Sequence, residues 1–170
     1  MIGFCAFGCV LPFNHYWSIY FDLRVGKEAT TLLWVPINLG LALGSYVVRR
    51  YGTSNAHEAS LICLALLLAG IGLVGMPSTT NNGSCLMFLL AHQVGRGMFF
   101  PLLENFTQHR IKGPFRASYS SLQSLLARCG YVVVLSAVML YTPGHRFTQT
   151  LIGNVWAVVG LVLTSIAIVL

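Results

Sequence analysis

Two arginines, Arg96 and Arg128, stand in the middle of long apolar runs of this 170-residue chain. An ionised side chain there is costly unless water, an anion or a polar partner meets it. Other polar groups accompany them at helical spacing. On a helix of about 3.6 residues per turn, His92, Gln93, Arg96 and Glu104 fall within one face. Ser121, Ser124, Arg128 and Tyr131 share a second face, and Thr31, Trp34, Asn38 and Ser45 a third. Asn14 and His15 add polarity to the first apolar run. Such stripes either line a path for a polar solute or hold helices together by hydrogen bonds, and the second use is the commoner one for Asn38, Gln123 and Asn154. His15 and His92 read either as titrating groups or as hydrogen-bonded structural ones. For the arginines a water-filled path or an anionic partner is preferred, because a guanidinium is an expensive adhesive. No carboxylate lies at their depth: Asp22, Glu28 and Glu58 fall in connections, and Glu104 is about 12 Å of helical rise from Arg96.

Signatures of other chemistry are missing. There is no HExxH, no GxSxG and no phosphate-cradling loop. Cys5 and Cys9 lie one helical turn apart, whereas membrane thiol redox pairs favour CxxC at an exposed helix start. No catalytic residue, metal or cofactor is expected, and the chain is not read as an enzyme.

The elements that must hold these residues follow from composition. Apolar and aromatic residues make up 56% of the chain and charged ones 8%, and mean hydropathy is +0.74. A soluble domain carries about 25% charge, so a soluble fold is excluded and the lipid bilayer is the expected solvent. The net charge of +6 comes without a Lys/Arg stripe interleaved with aromatics, which argues against nucleic acid as a partner. A bilayer core of about 30 Å takes about 20 helical residues per crossing. The apolar runs 2–21, 30–48, 59–76, 85–106, 117–141 and 149–170 therefore predict an all-α polytopic membrane protein: one domain, 1–170, of six transmembrane helices. The connections are rich in Gly, Pro, Asn, Ser or charge. The first run starts at Met1 with no basic residue before it and no cleavage site after it, so no signal peptide is expected.

Arg49, Arg50, Arg110, Lys112 and Arg116 collect in the second and fourth connections, which the positive-inside rule places in the cytoplasm together with both termini. The expected location is a cell membrane, inner or plasma. Glu104, at the same end of its span, is expected to form a salt bridge with Arg49, Arg50, Arg110 or Arg116. Pro12, Pro36 and Pro101 lie inside spans, where they bend helices.

The stretch Gly95-Arg96-Gly97-Met98-Phe99-Phe100-Pro101-Leu102-Leu103-Glu104, followed by Ile111, Arg116-Ala117-Ser118 and Ser121-Leu122-Gln123-Ser124-Leu125, resembles the tenth and eleventh helices of major facilitator superfamily transporters, most closely the drug exporters. Leu43-Gly44-Ser45-Tyr46-Val47-Val48-Arg49-Arg50-Tyr51-Gly52 is similar to that family's degenerate signature loop between its eighth and ninth helices, with Val48 or Arg49 where an aspartate is usual. The resemblance covers the chain as the second half of a twelve-helix fold. It implies secondary active transport, in the export direction, of a small organic solute by alternating access. A missing amino-terminal half or a second six-span chain would complete the cavity. Asn14, His15, Asn38, His92, Gln93, Arg96 and Arg128 would then face substrate, and Arg49, Arg50, Glu104 and Arg116 would form a cytoplasmic latch. The rival class is a non-transporting six-span protein, such as an assembly subunit or a membrane thiol oxidoreductase.

Overall fold

A computed structural model of the chain describes residues 2–51, 58–111, 113–141 and 148–169, with the side chains of all of these but 2–12, 15, 134, 137–139 and 141. Among the described residues the fold is all-helical. Its helices are α1 (Ile2–Val25), α2 (Lys27–Leu32), α3 (Trp34–Tyr51), α4 (Glu58–Ser78), α5 (Asn82–Arg110), α6 (Arg116–Tyr141) and α7 (Gln149–Val169), with a 3₁₀ turn at Gly113–Phe115. The six apolar runs fall on α1, on α2 with α3, and on α4, α5, α6 and α7 in turn. Four helical stretches, Lys27–Tyr51, Glu58–Ser78, Asn82–Arg110 and Gln149–Val169, are long and apolar enough to cross a membrane.

The breaks between helices have local causes. Gly26, with φ of +86°, takes the left-handed backbone that ends α1 and opens α2. Pro36 has no N–H to offer the Leu32 carbonyl and its ring crowds that oxygen, so the run from Lys27 is interrupted at Leu33. The α5 start is fixed by Asn81, whose side chain accepts from the backbone N–H of Gly83 (2.7 Å) and Ser84 (3.3 Å).

Packing arranges the helices in a definite order. α4 lies against both α5 and α7, α3 packs on α5, α1 packs on α7, and α6 packs on α1. The spatial sequence is therefore α3, α5, α4, α7, α1, α6. Alanine β-carbons would not fit at the α3–α5 crossing. A Cβ on Gly44 would overlap the Val94 carbonyl and lie 2.8 Å from Met98 N, and one on Gly97 would overlap the Leu41 carbonyl. The two backbones approach closely enough for Ser45 Oγ to donate to Gly97 O at 3.1 Å, the small-residue contact that drives association where lipid removes the hydrophobic incentive. Aromatic rings fill the α1–α7 interface, with Trp156 4.5 Å from Tyr20 and 5.0 Å from Phe13 between ring centroids.

Candidate functional site

The polar residues of α5 are not spread along the membrane face but turned inward. His92 and Gln93 are fully buried and Arg96 is 7% exposed. His92 Nδ1 lies 2.9 Å from the Ala69 carbonyl of α4. A carbonyl only accepts, so the proton sits on Nδ1, and Nε2 keeps its lone pair in the neutral ring. Arg96 donates through one terminal nitrogen to Gln93 Oε1 at 3.1 Å, and its guanidinium carbon lies 5.7 Å from the centre of the Phe13 ring. The Phe13 ring also meets the His92 ring at 4.5 Å. One α1 aromatic thus meets the Arg96 guanidinium and packs on the His92 ring. His92 Nε2, Gln93 Nε2 and Arg96 Nε are buried and have no hydrogen-bond partner among the described residues. Buried polar atoms in this condition are uncommon, and a fourth, Trp156 Nε1, lies in the α1–α7 interface.

A second polar group lines a cavity of about 900 Å³ between the last three turns of α5 and the first half of α6. Phe100 and Leu103 form an apolar wall. Facing them along α6 are Arg116, Ser120, Ser124 and Arg128, four residues apart in turn, with Gln123 and Tyr131 completing the lining. Arg116 and Arg128 are separated by about 18 Å of helical rise, so the cavity runs from the end of the helix to its middle. A shallower groove of about 390 Å³ shares Ser120, Ser124 and Arg128. Arg128 is exposed and has no hydrogen bond or ion pair among the described residues.

The predicted cavity residues are therefore divided. His92, Gln93 and Arg96 form one buried cluster. Arg128 lines the cavity, whose lining does not include Arg96, so the two mid-span arginines belong to separate environments. Asn38 is exposed on α3 and returns its amide to its own helix, donating to Trp34 O at 2.7 Å. Asn14 is exposed, and the His15 side chain lies outside the described residues. Of the predicted latch, Glu104 and Arg116 line the cavity together, while Arg49 and Arg50 are exposed on α3. The expected salt bridge of Glu104 is replaced. Its carboxylate accepts from Gln108 Nε2, one turn along, at 3.2 Å, and among the described residues from no arginine. The neighbouring cations are engaged elsewhere: Arg116 Nε donates to Ile111 O at 3.0 Å and the Arg110 guanidinium carbon stacks 3.9 Å from the Phe106 ring. Cys63, Cys85 and Cys129 are unpaired, and the Cys5 and Cys9 side chains lie outside the described residues.

Charge counting alone did not find the strongest polar junction, which lies at the other end of the bundle. Arg24 of α1 donates to Thr79 O (2.6 Å), Met76 O (3.2 Å), Asn82 Oδ1 (3.2 Å) and Tyr20 Oη (3.1 Å). The guanidinium fork ties the end of α1 to the α4–α5 connection. The four-residue spacing from Tyr20 to Arg24 was the one local signal available.

Comparison with family models, with curated proteins and with solved structures finds no match to this chain.

Proposed function

We propose that this chain is one six-helix half, the carboxy-terminal one, of an alternating-access transporter of the major facilitator type, moving a small organic solute in the export direction. The observation that carries the reading is an asymmetry between the two sides of the bundle. The outward residues of α4 and α7 are mainly apolar, including Leu64, Ile71, Val158, Leu161 and Val162, with Asn154 and Ser165 as polar exceptions on α7 and no charged side chain on α7 or, past Glu58, on α4. At the two ends of the packing order, α3 and α6 expose Asn38, Ser45, Ser120, Ser124 and Arg128 alongside apolar side chains such as Leu39, Leu43, Leu122 and Leu125. Asn38 and Ser45 already donate within the chain, so the weight falls on Arg128, whose charge hydrocarbon cannot satisfy and water or a second six-helix unit can. The helices next to those ends, α5 and α1, carry the Phe13, His92, Gln93 and Arg96 cluster.

This arrangement supports a cavity with one wall in this chain and the other in its partner. Six spans with both termini in the cytoplasm agree with Arg49, Arg50, Arg110 and Arg116 collecting at one end of alternate helices. The nitrogens of the α5 cluster that have no partner among the described residues suit groups that meet a solute for part of a cycle, and Pro101 inside α5 removes one backbone hydrogen bond there.

The test is solute flux in vesicles from cells making the chain alone or together with the sequence encoded upstream of Met1, across a panel of organic anions, cations and neutral amphiphiles. Flux that needs both segments supports the reading. The absence of flux for every solute, with both segments inserted, would favour an assembly subunit instead.

A further inference from the structure

We propose that the cavity between α5 and α6 binds an amphiphilic organic anion, with its oxyanion on Arg128 and its apolar body against Phe100 and Leu103. The inference rests on the transporter reading only for the role of the anion as cargo. Arg128 lies twelve residues into α6, within the apolar span, and none of the described residues gives it a hydrogen bond or an ion pair. A guanidinium at that depth needs an anion or water, and its planar fork matches a carboxylate or phosphate. The carboxylate that lines the same cavity, Glu104, is midway along the α5 side of the lining and already accepts from Gln108. The formal charge of the lining is thus positive: Arg116 and Arg128 against Glu104.

The rest of the lining specifies the remainder of the ligand. Ser120 and Ser124 form a hydroxyl ladder between the two arginines, giving an anion that starts at Arg116 polar contacts on its way to Arg128. Opposite them Phe100 and Leu103 offer apolar surface, which an inorganic ion would leave unused. A volume of about 900 Å³ admits a body of several rings or a folded alkyl chain. A cation finds no acidic residue beside Arg128, and a neutral amphiphile leaves the guanidinium unpaired. The same chemistry is offered by a soluble organic anion and by the headgroup of an anionic lipid.

The experiment is equilibrium binding to the full chain in phosphatidylcholine nanodiscs, with three probes of one shape: 2-naphthoate, naphthalene-2-carboxamide and 2-naphthylmethylammonium. The naphthoate is expected to bind saturably, with affinity falling as salt rises. The amide is expected to bind about tenfold more weakly or worse and the ammonium not at all, the loss of one charge-assisted hydrogen bond corresponding to about that factor. Arg128→Gln should weaken naphthoate about tenfold, Arg128→Lys less, and Ser124→Ala, a small change on an exposed helix face, two- to fivefold. Leu161→Ala on α7 should change nothing. Adding phosphatidylglycerol to the discs separates the two sources: a drop in naphthoate affinity identifies lipid headgroups as occupants of the anion site, and an unchanged affinity identifies a soluble ligand. Equal binding of acid and amide, wild-type affinity in both Arg128→Gln and Ser124→Ala, or no saturable naphthoate binding would overturn the proposal. Since no flux is measured, failure of the transporter reading leaves this result standing, and failure here leaves the transporter reading with another substrate class.

Discussion

Replacing Arg24 by methionine keeps the apolar stem and removes the fork that joins α1 to the α4–α5 connection. The bonds at stake are those to Thr79 O, Met76 O, Tyr20 Oη and Asn82 Oδ1. A hydrogen bond from a charged donor contributes about 1.5–3 kcal/mol when well made, so a bare sum exceeds 6 kcal/mol. Three features reduce it. The Asn82 bond is exposed to solvent, the Thr79 carbonyl can turn to water, and Met76 O keeps its second donor, Tyr20 Oη at 3.3 Å, so no buried acceptor is orphaned. We expect Arg24→Met to destabilise the protein by about 2–4 kcal/mol and Arg24→Lys, which keeps charge but reaches fewer carbonyls, by about half of that. Unfolding in mild detergent by added dodecyl sulfate, followed through Trp17, Trp34 and Trp156, measures the change. Tyr20→Phe combined with Arg24→Met should be less costly than the sum of the single changes by about 1 kcal/mol, because the two side chains share Met76 O and each other. A methionine variant within about 0.5 kcal/mol of the parent, or a lysine variant as stable as arginine, refutes the clamp.

Gly97→Ala drives a β-carbon into the Leu41 carbonyl and should cost about 1–3 kcal/mol by parting α3 from α5. Gly113→Ala, where nothing lies within 4 Å, should stay within about 0.5 kcal/mol in the same unfolding assay. Arg96→Met leaves the buried Gln93 Oε1 without its donor and should cost about 1–3 kcal/mol; flux per inserted molecule should fall about tenfold, and lost abundance with unchanged flux per molecule would make Arg96 purely structural. Single cysteines replacing Lys112 and Asn82, in a chain without its native cysteines, should label from opposite sides of the membrane, Lys112 from the cytoplasm, and labelling from one side contradicts the six-span topology.

Much of the architecture was legible because lipid imposes simple rules on sequence. Five of the six apolar runs lie on one helix each and the run 30–48 on α2 and α3, parted before Pro36, and four of these stretches are long and apolar enough to cross a membrane. The grouping of His92, Gln93 and Arg96 follows from their shared helical face, whereas the burial of these three and the exposure of Glu104 on the same face do not. Their company did not follow. Phe13, the ring that covers Arg96 and His92, is one of many aromatics in an apolar run until α1 is packed against α5. The pairing of Glu104 was misjudged because charge attraction was weighed without reach: Gln108 is one turn away on the same helix, while Arg116 is held by Ile111 and Arg110 by Phe106. The role of Arg24 is not written in the sequence, because its acceptors are mostly backbone carbonyls more than fifty residues away, and carbonyls leave no mark on a sequence. The separation of Arg96 from Arg128 likewise depends on how α5 and α6 are placed, which periodicity within either helix does not contain.

The central claim, that one side of this bundle meets water or a polar partner and the other meets lipid, is tested most directly by a membrane-impermeant maleimide on single cysteines in native membranes. Ser120→Cys and Ser124→Cys on α6 would be compared with Leu64→Cys and Leu161→Cys on α4 and α7, all exposed on the surface of the chain. Thiols ionise and react in water and not in hydrocarbon. The account predicts rapid labelling at the two α6 positions, slowed by an organic anion, and none at the α4 and α7 positions. Equal reactivity at all four, or labelling confined to α4 and α7, would contradict it.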